Sequence, residues 1–136
     1  MYIWYTMIYL VSENRQLFQS EHYEMISVEK SLEIIQSWDI VQFDTETSGR
    51  DPHVCKVLCA QFGNREAGIQ IVVDTTTTNL LLYKDILETK LIVGHNLKFD
   101  IQFLYQYEII PTKIWDTMII EQLLHLGFDN RFFHYS

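Results

Sequence analysis

The sequence is poor in cysteine. Cys55 and Cys59 are its only two cysteines, and because they are only four positions apart they cannot build a disulfide framework. No set of Cys and His residues has the spacing of a zinc finger. The two cysteines are therefore interpreted as ordinary buried thiols of a reducing cytoplasm.

Basic residues are also scarce. The chain has 10 Lys+Arg against 18 Asp+Glu, a formal net charge of −8, and no block of Lys or Arg. A protein that grips a long duplex through its phosphates usually carries a basic face, so extensive non-specific duplex binding is not expected. The acidity remains compatible with binding a short strand end through metal ions that carboxylates hold.

Long apolar runs are missing as well. The apolar opening, residues 1–11, contains no Lys or Arg and is shorter than the ~20 residues of a membrane helix. It is predicted to be an edge strand or a docking segment. Neither a membrane partner nor export is expected.

What is present is a globular composition. Of the 136 residues, 48% are apolar and 14% aromatic, without a low-complexity tract, which suits a single domain spanning 1–136. Periodicity and turn residues predict strands over 2–10, 39–46, 54–62, 68–73 and 90–95, and helices over 28–38, 80–88, 96–107 and 116–126. Ser27 is predicted to cap the first helix. This order indicates a mixed sheet with helices packed on it.

The first group of candidate functional residues is Asp44-Thr45-Glu46, which follows an apolar strand segment. Acids at i and i+2 of a strand point to the same face. Two neighbouring carboxylates repel unless a cation lies between them, and their hard oxygens suit Mg²⁺ or Mn²⁺. An Asp-x-Glu also occurs by chance at a solvated strand end, so this pattern alone leaves both interpretations open.

The second group lies at a predicted strand-to-helix junction. Asn96 and Asp100 are four residues apart, and therefore share one face of the helix that Asn96 begins. Free backbone amides at a helix start favour an anion such as a phosphate. Asn96 is interpreted either as an N-cap or as a ligand-binding group. His95 is interpreted as a structural or lining residue rather than a general base.

Three segments together resemble one family. Residues 43–47, Phe-Asp-Thr-Glu-Thr, resemble the first motif of the DEDD 3′–5′ exonucleases, and residues 93–100, Val-Gly-His-Asn-Leu-Lys-Phe-Asp, resemble the second. Residues 115–118, Trp-Asp-Thr-Met, resemble a stretch that follows in proofreading domains of family-A DNA polymerases, phage ones included. The resemblance covers 23–127. It implies a ribonuclease-H-like α/β fold, a mixed sheet with flanking helices, that is incomplete at the C-terminus.

The resemblance also implies an activity, which is the removal of nucleoside 5′-monophosphates from single-stranded DNA 3′ ends, with RNA not excluded. Two ions, Mg²⁺ or Mn²⁺, about 3.5–4 Å apart would clamp the scissile phosphate. Asp44 would bridge both ions, Glu46 would hold the water-bearing one and Asp100 the other. The residues expected to contact the substrate strand are Thr45, Thr47, His95 and Asn96.

The fourth acid of the family is not evident. His125 and Asp129 have the spacing of a tyrosine motif with histidine in first place, so Asp129 is a weak candidate, because Gly127 predicts a helix end between them. Asp116 is interpreted as a cap of the last helix rather than a metal ligand. The aromatic tail, 128–136, suggests a surface to be covered by more chain, by a partner or by self-association.

Three hypotheses about function remain after these observations. The first is an exonuclease, active alone or when a polymerase or another chain supplies the missing motif, in the cytoplasm of a bacterial or phage-infected cell. The second is a non-catalytic or truncated module that binds a nucleic-acid end or a replication partner. The third, a purely structural domain, is disfavoured because an idle site would not need three mutually repelling acids.

Overall fold

The computed structural model describes residues 7–14 and 21–129, with side chains described up to Leu126. The strands are β1 Met7–Val11, β2 Glu24–Met25, β3 Ile40–Thr47, β4 Val57–Asn64, β5 Ile69–Asp74, β6 Leu91–Gly94 and β7 Ile114–Asp116. The helices are α1 Val28–Gln36, α2 Lys84–Thr89, α3 Leu97–Gln106 and α4 Thr117–Asp129, and a 3-10 turn over Leu80–Tyr83 leads into α2.

The described strands form one mixed sheet in the order β2-β1-β5-β4-β3-β6-β7. The β3–β4–β5 meander is antiparallel, whereas β6 runs parallel to β3 and β7 parallel to β6. Antiparallel neighbours need only short turns, but parallel neighbours need a crossover, and α2 and α3 lie in the connections that lead to β6 and β7. The prediction of a mixed sheet flanked by helices is confirmed.

One face of the sheet carries the core. Along β3, Val41, Phe43 and Thr45 are buried while their alternate neighbours are half-buried or exposed, as the two-residue period of a strand requires. The Phe43 ring packs on Phe62 with centroids 5.2 Å apart, and Phe62 stacks on Tyr83 at 5.0 Å. The acidic pair of β3 therefore lies on the face opposite the core.

Ser27 caps α1 as predicted, because its side chain accepts a hydrogen bond from the backbone N–H of Lys30 at 3.1 Å. Other boundaries differ from the sequence expectations. The strand expected from 54 begins only at Val57, because residues 51–55 form a turn in which the N–H of Cys55 donates to the carbonyl of Asp51. The short strand β2 was not predicted, since two residues are too few for a periodic pattern.

The first and last elements also differ from expectation. Strand β1, expected at an edge, pairs in parallel with β5 on one side and with β2 on the other. Helix α4 does not end at Gly127 but continues to Asp129. A helical glycine costs only about 1 kcal/mol relative to alanine, so it does not have to end a helix. No helix in the described part of the chain is long and apolar enough to span a membrane.

Candidate nuclease site

The two acids of the first motif project from the end of β3. Asp44 and Glu46 are exposed, whereas Thr45 between them is buried. Strand β6 pairs with β3 only through Ile40, Val41 and Gln42. The edge of β3 that carries the acids therefore extends beyond its parallel neighbour, and its backbone groups need other partners on that side.

Helix α3 supplies that partner. Asp100, in its first turn, accepts hydrogen bonds at Oδ1 from the backbone N–H of Thr45, 3.1 Å away, and from the Thr45 hydroxyl. The approach is close because β6 ends in a glycine. A Cβ on Gly94 would lie 2.8 Å from the carbonyl oxygen of Phe43 and 2.5 Å from Leu97 Cδ2. Glycine at this position thus lets the start of α3 lie against β3.

Burial raises the pKa of Asp100 to about 6. The residue is only 3% exposed, which disfavours the charged form of its side chain. The hydrogen bonds from Thr45 work in the opposite direction, and the nearby negative charge of Asp44 raises the pKa further. The charge of an acid in the first motif therefore acts on the acid of the second motif.

Asp44, Glu46 and Asp100 offer carboxylate oxygens, which are the ligands that hard divalent cations prefer. Their arrangement is less complete than predicted. Among the residues that the structure describes, no group of three or more His, Cys, Asp and Glu is gathered closely enough to hold a metal ion. Asp44, Glu46 and Asp100 therefore do not meet at metal-binding distances. Carboxylates repel one another, so a cation has to supply the attraction that would gather them.

Asn96 does not cap α3 with its side chain. Its backbone is left-handed, with φ 58° and ψ 50°, and its side chain makes no capping hydrogen bond. The cap is Asp116, whose carboxylate accepts the N–H of Asn96 at 2.9 Å and the N–H of Leu97 at 2.8 Å. Of the two interpretations of Asn96, the structure rules out the side-chain cap and leaves an exposed amide beside the site.

His95 is exposed at the same junction. Its Nδ1 lies 3.0 Å from the hydroxyl of Thr117, and that hydroxyl lies 3.2 Å from the carbonyl oxygen of Gly94. When the hydroxyl donates to Gly94, Nδ1 has to be the donor to Thr117, which leaves Nε2 of a neutral imidazole as an acceptor. His95 therefore presents a ring that Thr117 orients, with Nε2 as its remaining acceptor.

The remaining predicted site residues take different positions. The hydroxyl of Thr47 donates to the carbonyl of Gly49 at 2.7 Å, within the turn that follows β3. Thr45 is buried against Asp100, so its hydroxyl holds a carboxylate instead of facing the substrate side. The backbone of Asp129 ends α4, and its side chain lies outside the described part of the structure.

Sequence reasoning missed one connection in the site. Asp116 was predicted to cap the last helix, and it does, because Oδ1 accepts the N–H of Met118 at 3.0 Å. Its second role, as the cap of α3, was not anticipated. The only signal for it is that Asp116 ends a strand next to β6, and neighbouring parallel strands deliver their following residues to the same sheet edge.

The sheet order, the helix that follows β6 and the acids at the end of β3 define a ribonuclease-H-like nuclease domain. A family model for 3′–5′ exonuclease matches residues 22–131. The chain belongs to this 3′–5′ exonuclease family, of the four-carboxylate DEDD type. DNA polymerase I of Aquifex aeolicus (strain VF5) is 32% identical over 103 residues, which make up 71% of this chain but only 16% of that polymerase.

Solved structures agree on the fold. RNase D of Trypanosoma brucei, in complex with RNA U12, superposes with a TM-score of 0.68 at 10% identity, over 90% of this chain and 42% of that chain. NrnC of Brucella melitensis with bound Mg²⁺ gives a TM-score of 0.57 at 15% identity, over 96% of this chain and 66% of that one. At identities this low, the superpositions show that the fold is shared and nothing more.

Proposed function

We propose that this chain is a metal-dependent 3′–5′ exonuclease that removes nucleoside 5′-monophosphates from the 3′ end of a single DNA strand. The observation that carries the proposal is the pair of hydrogen bonds between Asp100 and Thr45. They join the second motif of the family to the middle residue of the first. This is the arrangement that a shared catalytic centre needs, because both motifs have to act on one phosphate.

In this proposal Asp44, Glu46 and Asp100 hold Mg²⁺ or Mn²⁺. Two such ions would activate a water molecule and neutralise charge on the scissile phosphate. Asp44 and Glu46 are exposed on the open side of β3, where a strand end can approach them. Thr45 holds Oδ1 of Asp100, which would leave Oδ2 to bind a cation.

Four residues are proposed to act on the substrate strand, three of them by direct contact. Asn96 offers a side-chain amide that is not used in capping, and His95 offers a ring held by Thr117. Thr47 is the last residue of β3, next to Glu46, and its hydroxyl donates to the turn that follows. Thr45, whose N–H and hydroxyl both donate to Asp100, acts by positioning that carboxylate.

DNA is proposed as the substrate because the relative from Aquifex aeolicus is a DNA polymerase. A proofreading role, an associated polymerase and a cytoplasmic site of action follow from the same similarity. RNA is the alternative substrate, since RNase D of the same fold is known in complex with RNA U12. Mg²⁺ is favoured by its presence in NrnC.

A second function is a module that binds a strand end without cleaving it. The observation that favours it is the incomplete gathering of acids among the described residues. Such a module would keep the strand contacts of Asn96 and His95 but would lack a complete set of metal ligands.

The test incubates the purified chain with Mn²⁺ and a 5′-labelled single strand, in parallel as DNA and as RNA. An exonuclease gives a ladder that shortens from the 3′ end and releases nucleoside monophosphates, and EDTA stops it. The Asp44→Asn variant should lose this activity. Asp39→Asn is the matched control, because Asp39 is an exposed acid that precedes the opposite end of β3.

The outcomes separate the two functions. Loss in Asp44→Asn with normal shortening in Asp39→Asn supports the enzyme. Binding of the strand without shortening, even at high Mn²⁺, supports the binding module. Equal shortening by the Asp44→Asn variant and the wild type would contradict the proposed site.

A further inference from the structure

The carboxylate of Asp116 accepts hydrogen bonds from three backbone N–H groups. Oδ1 accepts the N–H of Asn96 at 2.9 Å and the N–H of Met118 at 3.0 Å, while Oδ2 accepts the N–H of Leu97 at 2.8 Å. Only 8% of the residue is exposed. One side chain thus caps the N-termini of both α3 and α4, two helices that leave neighbouring parallel strands.

Helix α3 depends on this cap. The first N–H groups of a helix have no partner inside it, and a residue just before the helix usually supplies one. Here that residue, Asn96, has a left-handed backbone and makes no side-chain cap. A negative carboxylate at this end is also favoured by the helix dipole. Asp116 therefore fixes where α3 begins.

The start of α3 is also where the proposed site residues are attached. Asp100 lies in the first turn, and its carboxylate is held by the N–H and hydroxyl of Thr45. Hydrogen bonds thus join Asp116, at the end of β7, to the start of α3, and join Asp100, three residues after Leu97, to the middle of the acidic motif on β3. Displacing the start of α3 would displace Asp100 with it.

We infer that Asp116 is a positioning residue of the exonuclease site: by capping α3 from β7 it holds Asp100 against β3 and leaves the Asn96 amide available to the substrate strand. The inference rests on the proposed function for its kinetic consequences. Asp116 is not itself a metal ligand, because three backbone N–H groups point at its two oxygens, and a cation would be repelled by them.

The test compares Asp116→Asn and Asp116→Ala with the wild type. Asparagine keeps one acceptor oxygen and replaces the other with an NH₂ group, which cannot accept the N–H that now reaches Oδ2. Alanine removes both acceptors. Ser27→Ala is the matched control, because Ser27 caps α1 through a 3.1 Å bond to the N–H of Lys30, outside the proposed site. All four proteins are first compared by urea unfolding.

Two measurements then report on positioning. The first is the rate of hydrogen exchange at the Thr45 amide, which Asp100 protects. It should rise selectively in the Asp116 variants and stay at the wild-type rate in Ser27→Ala. The second is the kinetics of shortening. In Asp116→Asn, kcat and the apparent Mn²⁺ affinity should fall by about 10- to 100-fold, as for other residues that orient metal ligands, with a smaller change in KM.

Each possible result either supports or overturns the positioning role of Asp116. If the Asp116 variants lose stability but keep kcat per folded molecule and the wild-type Thr45 exchange rate, Asp116 is only a structural cap and the inference is overturned. If the wild type does not shorten any strand, the proposed function fails, yet selective exchange at Thr45 still supports the positioning of Asp100. Equal exchange in all variants overturns it whether or not the enzyme is active.

Discussion

Asp100 and Thr45 lie 55 positions apart in the sequence and are joined by two hydrogen bonds, from the backbone N–H and from the hydroxyl of the threonine. Thr45 is the middle residue of the acidic motif, and it faces away from the two acids that flank it. The site therefore lies at the free edge of β3, where the two flanking acids are exposed and Asp100 is held by the backbone N–H and the hydroxyl of Thr45. We make two predictions from this arrangement and a third from the hydrogen bonds that the carboxylate of Asp74 accepts at the end of β5.

Thr45→Val should lower the stability of the protein and its affinity for Mn²⁺, although valine has nearly the same shape as threonine. Valine keeps the backbone N–H but removes the hydroxyl that donates to the buried carboxylate of Asp100. We expect a loss of about 1–3 kcal/mol in the free energy of unfolding, measured in urea, because a buried acceptor loses a partner. The pKa of Asp100 should rise further, and more Mn²⁺ should be needed for half-maximal shortening.

The control for this variant is Thr75→Val. The hydroxyl of Thr75 donates to the carbonyl of Val57 at 2.7 Å, away from the acidic motif. Its removal should cost stability but leave the Mn²⁺ requirement unchanged. If both variants raise the Mn²⁺ requirement equally, the bond between Thr45 and Asp100 has no special role.

Gly94→Ala should separate α3 from β3. The added Cβ would meet the backbone carbonyl of Phe43 at 2.8 Å as well as the side chain of Leu97, and a backbone atom cannot move aside cheaply. Overpacking of this kind costs about 1–3 kcal/mol of folding free energy, which urea unfolding measures. Because Asp100 moves with α3, the rate of shortening per folded molecule should fall as well.

Gly49→Ala provides the comparison for stability. Its Cβ would lie 2.6 Å from Sγ of Cys55, the end of a side chain that can rotate. It should therefore destabilise the protein less than Gly94→Ala does. The reverse order would show that the approach of α3 to Phe43 is not as constrained as the structure indicates.

Asp74→Asn should alter the pH dependence of stability. Burial by itself would raise the pKa of Asp74, but hydrogen bonds from Thr76, Ser12 and Thr77 outweigh burial and lower it. A folded pKa below the unfolded value of about 3.9 adds stability above that value, and this stability is lost as pH falls through the folded pKa. The wild type should thus exceed Asp74→Asn in stability at pH 7.

The difference between the two proteins should shrink as the pH falls below about 4, where the carboxylate of the wild type takes up a proton. Urea midpoints measured from pH 7 to pH 3 would show this. Because only the difference is used, titration of the other acids cancels. A difference that stays constant over the whole range would mean that the charge of Asp74 contributes nothing.

Much of the fold was predictable because its signals are local. The acidic strand β3 and the helix α3 follow from periodicity and turn residues, and the N-cap of α1 at Ser27 follows from a side chain next to the helix it caps. The start of β4 at Val57 was missed because the turn over 51–55 is held by backbone bonds that any sequence can make.

The sequence by itself determined that this chain is a mixed α/β domain of the 3′–5′ exonuclease family, because motif residues and their spacing are properties of the chain. Only the tertiary structure decided that Asp116 caps α3 while Asn96 does not, and that Thr45 holds Asp100. These contacts join residues 19, 20 and 55 positions apart. Their geometry depends on which strands become neighbours in the sheet, and no local pattern records that.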